Sequence, residues 1–412
     1  MSIESLTGQM VDAVAAQRED IVALCAALVA APSVNPPGDT RAAADVVSAA
    51  LAERGLRSHQ ERTDPLMPSV LAEIDSGRPG PHLILNVHLD TMPPGDESVW
   101  TQPVWELTRT AGRLYGLGMG NMKGAVAAMI TAAALLAERS AHWSGRITFT
   151  AVSDEVVFGD NGAAYLLRQH PQLFGDGLLC GEGPGFRRLA IGEKGVLWLE
   201  LSATGPAGHS SAVTAGTSAS ARIAAAVGAV DRLTGTPGAL PADLGALAAG
   251  GETDPGLLLT ANVGTVTAGF FISQIATRAA AEVDLRLPPG LDTDRAEALV
   301  RDAVTGIDSV TVRKIKGWNA NWTAPGDGLV RAWQRASSTI TGAPCEYAIR
   351  LPASDASRWR QRDVPALCYG PQPTWSAGID DYAEEDEVLR CASLYAATAL
   401  NVLSSPQSSA AR

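Results

Sequence analysis

The stretch "NVHLDT" sets His88 and Asp90 two residues apart at the end of an apolar run. In an extended strand, residues i and i+2 share a face, so the carboxylate of Asp90 comes within reach of the imidazole. A carboxylate behind an imidazole fixes its tautomer, which serves both metal-binding and acid/base histidines. A buried histidine satisfied by a local acid has the same spacing, so this pair alone does not decide. Further carboxylates follow: Asp154 and Glu155 in "VSDEVVFGDNGA", then Glu182 in "CGEGP". Between them "GMGNMKGA" reads as a loop entering a helix, with the uncharged Asn121 at its centre. One histidine with several carboxylates is a donor set for a divalent ion, and equally a set of proton carriers.

These residues need a scaffold. "SVLAEI", "HLILNVHLD", "RITFTAVSDE" and "GLLCGE" read as buried strands, alternating with helical runs such as "GAVAAMITAAALLAER". That order predicts an α/β sheet with helices on both faces, and such sheets place their sites at the carboxyl ends of the strands. Residues 7–31 have helical periodicity up to the proline-rich "APSVNPPGDT", and Thr40 or Asp39 is expected to cap a second helix through Leu56. The texture changes near Gly195. "VLWLELSATG" alternates like a strand with one wet face, followed by a helix over Ser218–Leu233, two strands, a helix over Asp292–Val304 and a last strand. This is the split βαβ pattern of a small α+β sandwich. The expected domains are an α/β domain over 1–195 plus 317–412, and an inserted α+β domain over 196–316.

With 412 residues, two domains are the natural prior. The net charge of −12, without a basic cluster, argues against nucleic acid or an anionic membrane as partner. The five cysteines lie scattered in apolar runs without CxxC spacing, which predicts reduced core thiols and a cytoplasmic setting. The N-terminus lacks the pattern of a signal peptide, and no uninterrupted apolar run reaches membrane-spanning length.

In order and interval, "NVHLDT", "GMGNMKGA", "VSDEVVFGDNGA", "CGEGP", "GEKG", "GPAGHSS", "RLPASDASRW" and "CYGPQ" resemble the acetylornithine deacetylase / succinyl-diaminopimelate desuccinylase / carboxypeptidase G / aminoacylase family of MH-clan zinc peptidases and amidohydrolases. The resemblance runs from about residue 10 to 402. It implies a zinc-exopeptidase-like catalytic domain with a ferredoxin-like lid that also serves dimerisation, and a centre that usually holds two zinc ions. It assigns His88 as a metal ligand, Asp90 as its orienting acid, Glu182 as a carboxylate ligand and Glu155 as the general base; another register makes Asp154 the base and Glu155 a ligand. The family's bridging aspartate falls on Asn121, its second paired glutamate on Val156, and its last histidine ligand on Ala377 or Gly378. No histidine follows His209 in any register.

Too few carboxylates remain to balance four positive charges. The expectation is therefore one weakly held zinc at most, on His88, Glu182 and Asn121, or none. The resemblance also implies that His209 polarises the scissile carbonyl across a dimer, and that Ser273 and Arg286, thirteen residues apart, bind the substrate carboxylate. Ser354 and Asp355 are expected to contact the ligand, and Asn121 to offer its amide. Lys123 and Lys194 are structural unless buried. The implied activity is hydrolysis of a small carboxylated amide such as an N-acyl amino acid or dipeptide. The alternatives are metal-independent, non-hydrolytic chemistry on a similar substrate (cyclisation, acyl transfer or decarboxylation), and an inactive ligand-binding relative.

Overall fold

The apolar periodicity at the start of the chain folds as two helices, α1 (Ile3–Ala16) and α2 (Arg18–Val29), where one helix over 7–31 was expected. The break falls at Gln17, which leaves helical geometry at φ −93°, ψ 13°. Glu19 and Asp20 then sit in the first turn of α2, where negative charge suits the helix dipole. Helix α3 (Arg41–Glu53) starts after Thr40, as expected, but the Thr40 hydroxyl does not cap it. That hydroxyl pairs with Ser153 Oγ at 2.6 Å and so ties the helix start to a site-bearing loop. The computed structural model describes residues 2–248, 254–373 and 378–404, and these divide into two compact units.

The first unit comprises Met1–Ile191, Trp322–Ala348 and Ser354–Arg412. Its early strands are β1 (Ser58–Glu61), β2 (Ser69–Asp75), β3 (His82–His88), β4 (Thr108–Thr110) and β5 (Arg113–Tyr115). Helix α4 (Gly124–Glu138), β6 (Arg146–Val152), α5 (Ala163–Gln169), β7 (Gly177–Cys180) and β8 (Arg188–Glu193) follow. The second unit, Gly192–Asn321 with Ile349–Ala353, is built on β9 (Gly195–Thr204), α6 (Ala219–Asp231), β10 (Thr260–Ala268), β11 (Arg278–Leu287), α7 (Thr293–Val304) and β12 (Val310–Trp318). The chain then adds β13 (Asn321–Trp322), α8 (Gly328–Thr341), β14 (Glu346–Arg350), α9 (Ala356–Arg360), β15 (Ala366–Cys368), β16 (Tyr382–Glu384) and α10 (Glu385–Leu403).

The large sheet runs β1-β2-β6-β3-β7-β15-β8-β13, with β14 on β8. At its centre β3 is parallel to both β6 and β7, and β15 is parallel to β7. Strand β3 is buried along its whole length, as a central strand covered on both faces must be. Helix α4, with its single hydroxyl Thr131 bonded back to Ala127 O, is buried nearly all round against α10 and α2. By length and composition the helical stretch Met119–Glu138 could cross a membrane, but 94% of its apolar window is buried inside the unit. All five cysteines are buried and free.

The second unit has the sheet order β10-β11-β9-β12, with α6 and α7 on one face. Ser218 and Asp292 cap the two helices through their side chains. Alternate β9 residues Leu197, Leu199 and Leu201 point into its core.

His82 opens β3 and is buried, with Nε2 at 2.8 Å from Thr148 Oγ1. Burial first, and the charge of Arg146 second, push its pKa down to about 4. The unfolded chain therefore binds the proton more readily. The stability this residue supports is complete above about pH 6.5 and is lost as pH falls toward 4. Thermal midpoints should decline less between pH 7 and pH 5 for His82→Gln, which keeps the bond to Thr148, than for the natural protein. Equal declines would show that His82 is not a source of the acid sensitivity.

Candidate active site

Three neighbouring parallel strands deliver three donors to one place. His88 ends β3, Glu155 follows β6, and Glu182 follows β7. His88 Nε2 lies 3.5 Å from Glu182 Oε1 and 3.7 Å from Glu155 Oε2. All three residues are buried, and one ligand atom from each falls within 4.8 Å of the others; among the described residues this is the one such group of His, Cys, Asp and Glu. Asn121 joins them, with Oδ1 3.1 Å from His88 Nε2.

Asp90 supports this cluster differently from expectation. His88 Nδ1 bonds to the main-chain carbonyl of Asp90 at 2.8 Å, while the carboxylate stands off at 3.6 Å. A carbonyl only accepts, so Nδ1 carries a proton. The carboxylate of Asp90 instead accepts the N–H groups of Glu155 at 3.2 Å and Val156 at 2.9 Å, together with Asn35 Nδ2 at 2.9 Å. It thereby holds the turn that aims Glu155. Asn35 bridges to Asp154 Oδ1 at 3.1 Å, and Asp154 Oδ2 accepts both the N–H and the Nδ2 of Asn161. Asp154, with φ +63°, is thus committed to shaping the turn. Asn35 was missed in the sequence because it stands in a stretch that reads only as a proline-rich loop.

Charge in this pocket is mostly negative. Burial above all, with Glu182 and Asp355 adding repulsion and His88 opposing, lifts the Glu155 carboxyl well above its ordinary range. His88 is fully buried, which disfavours its charge, yet Glu155, Glu182 and Asp90 raise its pKa well above the usual value. Asp355 is raised by burial against the pull of Arg358, its partner at 3.1 Å. Glu155 Oε1 and Asp355 Oδ2 are buried without a hydrogen-bond partner. Ser354 is buried too, with Oγ 3.5 Å from Cys368 Sγ.

A divalent ion suits this donor set. Nδ1 is held by the Asp90 carbonyl, so Nε2 is the atom that faces the two carboxylates and Asn121 Oδ1. Without an ion Nε2 donates a proton to them, and it would give up that proton to bind one, while the partnerless Glu155 Oε1 adds a further unmet acceptor. Val156 offers no donor where a second carboxylate was sought. Of the two positions proposed for a last histidine, Gly378 is an exposed glycine and Ala377 lies outside the described residues.

His209, Ser273, Arg286 and Lys194 lie in the second unit. His209 caps the short turn Ser210–Ala212, with Nδ1 accepting from Ser211 N–H at 3.3 Å, which puts the ring proton on Nε2. Ser273 lies beside it, its carbonyl bonded to Ser210 N–H at 3.0 Å, and both line a cavity of about 440 Å³. Arg286 sits at the opposite end of β11, about 25 Å further along at strand rise. There it grips Asp284 at 2.8–3.1 Å. Within one chain Ser273 and Arg286 therefore do not share a ligand. Lys123 and Lys194 both prove buried, and burial pushes their pKa values down to about 7 and about 8.

The chain belongs to peptidase family M20/M25/M40, which matches residues 84–401. Succinyl-diaminopimelate desuccinylase of Coxiella burnetii is 33% identical over 141 residues, covering 32% of this chain and 37% of that protein. The Methylobacterium radiotolerans enzyme of the same name is 35% identical over 194 residues, covering 44% and 48%. The chain thus spans less than half the length of these curated relatives. Among solved structures, a di-peptidase from Saccharomyces cerevisiae superimposes with a TM-score of 0.76 at 13% identity, covering 99% of this chain and 100% of that one. A dinuclear metal-binding peptidase of the M20 family from Bacillus subtilis gives 0.67 at 15%, covering 94% and 99%. At such identities the likeness is one of fold.

Proposed function

We propose that the chain hydrolyses a C–N amide bond in a small carboxylated amide, an N-acyl amino acid or dipeptide, with one divalent ion at most. The observation that supports this best is the convergence of His88, Glu155 and Glu182 at the carboxyl ends of three adjacent strands. His88 and Glu182 would hold the ion, with Asn121 Oδ1 as a neutral third donor. When bound, the ion supplies Lewis acidity that polarises an amide carbonyl. Glu155 Oε1, buried and without a partner, takes the proton of the attacking water and returns it to the departing amine. Asp90 holds that carboxyl in place through the Glu155 and Val156 N–H groups. His209, with its proton on Nε2, donates to the carbonyl oxygen, and Arg286 and Ser273 serve substrate carboxylate recognition from two copies of the chain. A homodimer through the second unit fits the apolar side chains of Phe270, Phe271 and Ile272, which are 93%, 64% and 91% exposed.

The hydrogen bond between Asn121 and His88 Nε2 supports a second reading, in which His88 and Glu155 act without metal in non-hydrolytic chemistry on a similar substrate. Elemental analysis of protein purified without chelators, beside a hydrolysis panel of N-acyl amino acids and dipeptides, separates the two. One zinc per chain with chelator-sensitive hydrolysis is the expected result. Two ions per chain would overturn it, and metal-free protein that consumes such a substrate without hydrolysing it would favour the second reading.

A further inference from the structure

Asp381 is a buried carboxylate that the chemistry above leaves unused. Its Oδ2 accepts the N–H of Gly118 at 2.7 Å and its Oδ1 that of Gly120 at 3.2 Å. Its main-chain carbonyl accepts the N–H of Gly116 at 2.9 Å. The loop it grips is closed on itself, because Lys123 N–H donates to Gly118 O at 2.7 Å. The Lys123 side chain packs into the same loop and ends on Ala31 O at 3.3 Å. Neither glycine has room to change. A Cβ on Gly120 would meet Asp381 Oδ1 at 2.8 Å and Tyr382 O at 3.0 Å; one on Gly118, at φ +86°, would meet Thr91 Cγ2 at 2.6 Å. Within this clamped loop, Asn121 reaches the His88 imidazole with its side chain, while Met122 Sδ accepts the His88 main-chain N–H at 3.0 Å.

We propose that Asp381 is a positioning residue: by holding the Gly118 and Gly120 N–H groups it fixes the Asn121 amide against His88. Hydrogen bonds from peptide N–H to a carboxylate are strong and directional, so two of them just ahead of Asn121 fix the main chain from which its side chain starts. The preceding residue makes a natural comparison. Asp380 grips another loop in the same manner, accepting Thr101 N–H at 2.8 Å, Thr101 Oγ at 2.6 Å and Gln102 N–H at 3.0 Å. That loop carries no residue of the cluster. Two adjacent acids thus do similar structural work, and one of them leads to His88.

The activity arm of the test rests on the hydrolase reading; the spectroscopic arm does not. In the full-length protein, Asp381→Asn should lower kcat by about 10- to 100-fold with KM little changed, while Asp380→Asn leaves kcat near that of the natural protein. In an Asn121→Ala background, Asp381→Asn should cost nothing further, because the group it positions is gone. Imidazole 15N resonances of His88 should move in Asp381→Asn and stay in Asp380→Asn, whether or not any amide is hydrolysed. Should Asp381→Asn fail to fold, Asp381→Glu, with both acceptors one methylene further out, carries the same comparisons. Equal losses from the two single variants, an undiminished penalty in the Asn121→Ala background, or unmoved His88 resonances would overturn the proposal.

Discussion

Glu155→Gln should abolish most turnover, by about 10²- to 10⁴-fold in kcat, in a protein that folds as before. The side chain is nearly isosteric, and what holds its turn is main-chain: the Glu155 and Val156 N–H groups on Asp90. Those bonds survive the change. What disappears is the capacity of Oε1, buried and partnerless, to accept and return a proton. Stability should hold or rise, because a neutral amide in a pocket shared with Glu182 and Asp355 escapes the repulsion and desolvation that lift the Glu155 pKa. Metal content distinguishes the two roles open to this residue. As base alone, Glu155 can be lost while His88, Glu182 and Asn121 retain the ion. As a ligand, its loss empties the site along with the activity. A variant keeping a tenth or more of wild-type kcat would sink the base assignment. Asp154 would be a poor heir, since Asn35 and Asn161 already occupy both of its oxygens.

The parts of this fold governed by periodicity were legible. The alternation of "VLWLELSATG" and the uniform apolarity of "HLILNV" follow from one-sided and two-sided burial, and the structure shows both patterns. The chain order of strands and helices in the second unit followed from the same signals, with its two helices starting at Ser218 and Asp292, which the structure shows to be their caps. Donors directly at strand ends, His88 and Glu182, could be read because a strand ending in a polar residue marks the rim of the sheet. What stayed hidden depends on contacts between distant segments. Asn35 meets Asp154 across 119 positions, and Asp381 meets Gly118 across 263. No local pattern carries such pairings. The break at Gln17 was hidden for another reason: both flanking helices bury apolar residues at the same spacing, and one non-helical residue leaves the periodicity almost intact. The placement of Arg286 was not legible either: the thirteen residues that separate it from Ser273 run along nearly the whole length of β11.

Asn121→Asp should strengthen divalent metal binding by roughly tenfold or more, since the charge count of the ligands is a main control on affinity at oxygen-rich sites. Asn121 Oδ1 already stands 3.1 Å from His88 Nε2, and the loop that carries it is clamped from both sides, so the carboxylate would arrive in place. Without metal the change should destabilise: a further negative group joins Glu155 and Glu182 in a buried pocket. With metal the sign reverses, because an ion that binds the folded chain more tightly shifts the unfolding equilibrium further. The measurable result is a larger rise in thermal midpoint on adding zinc for the variant than for the natural protein, together with a lower Kd by calorimetry. Stoichiometry should stay at one, as Val156 still offers no donor for a second ion. If zinc stabilises both proteins equally, Asn121 does not face the ion, and the donor set must be sought among His88, Glu182 and Glu155 alone.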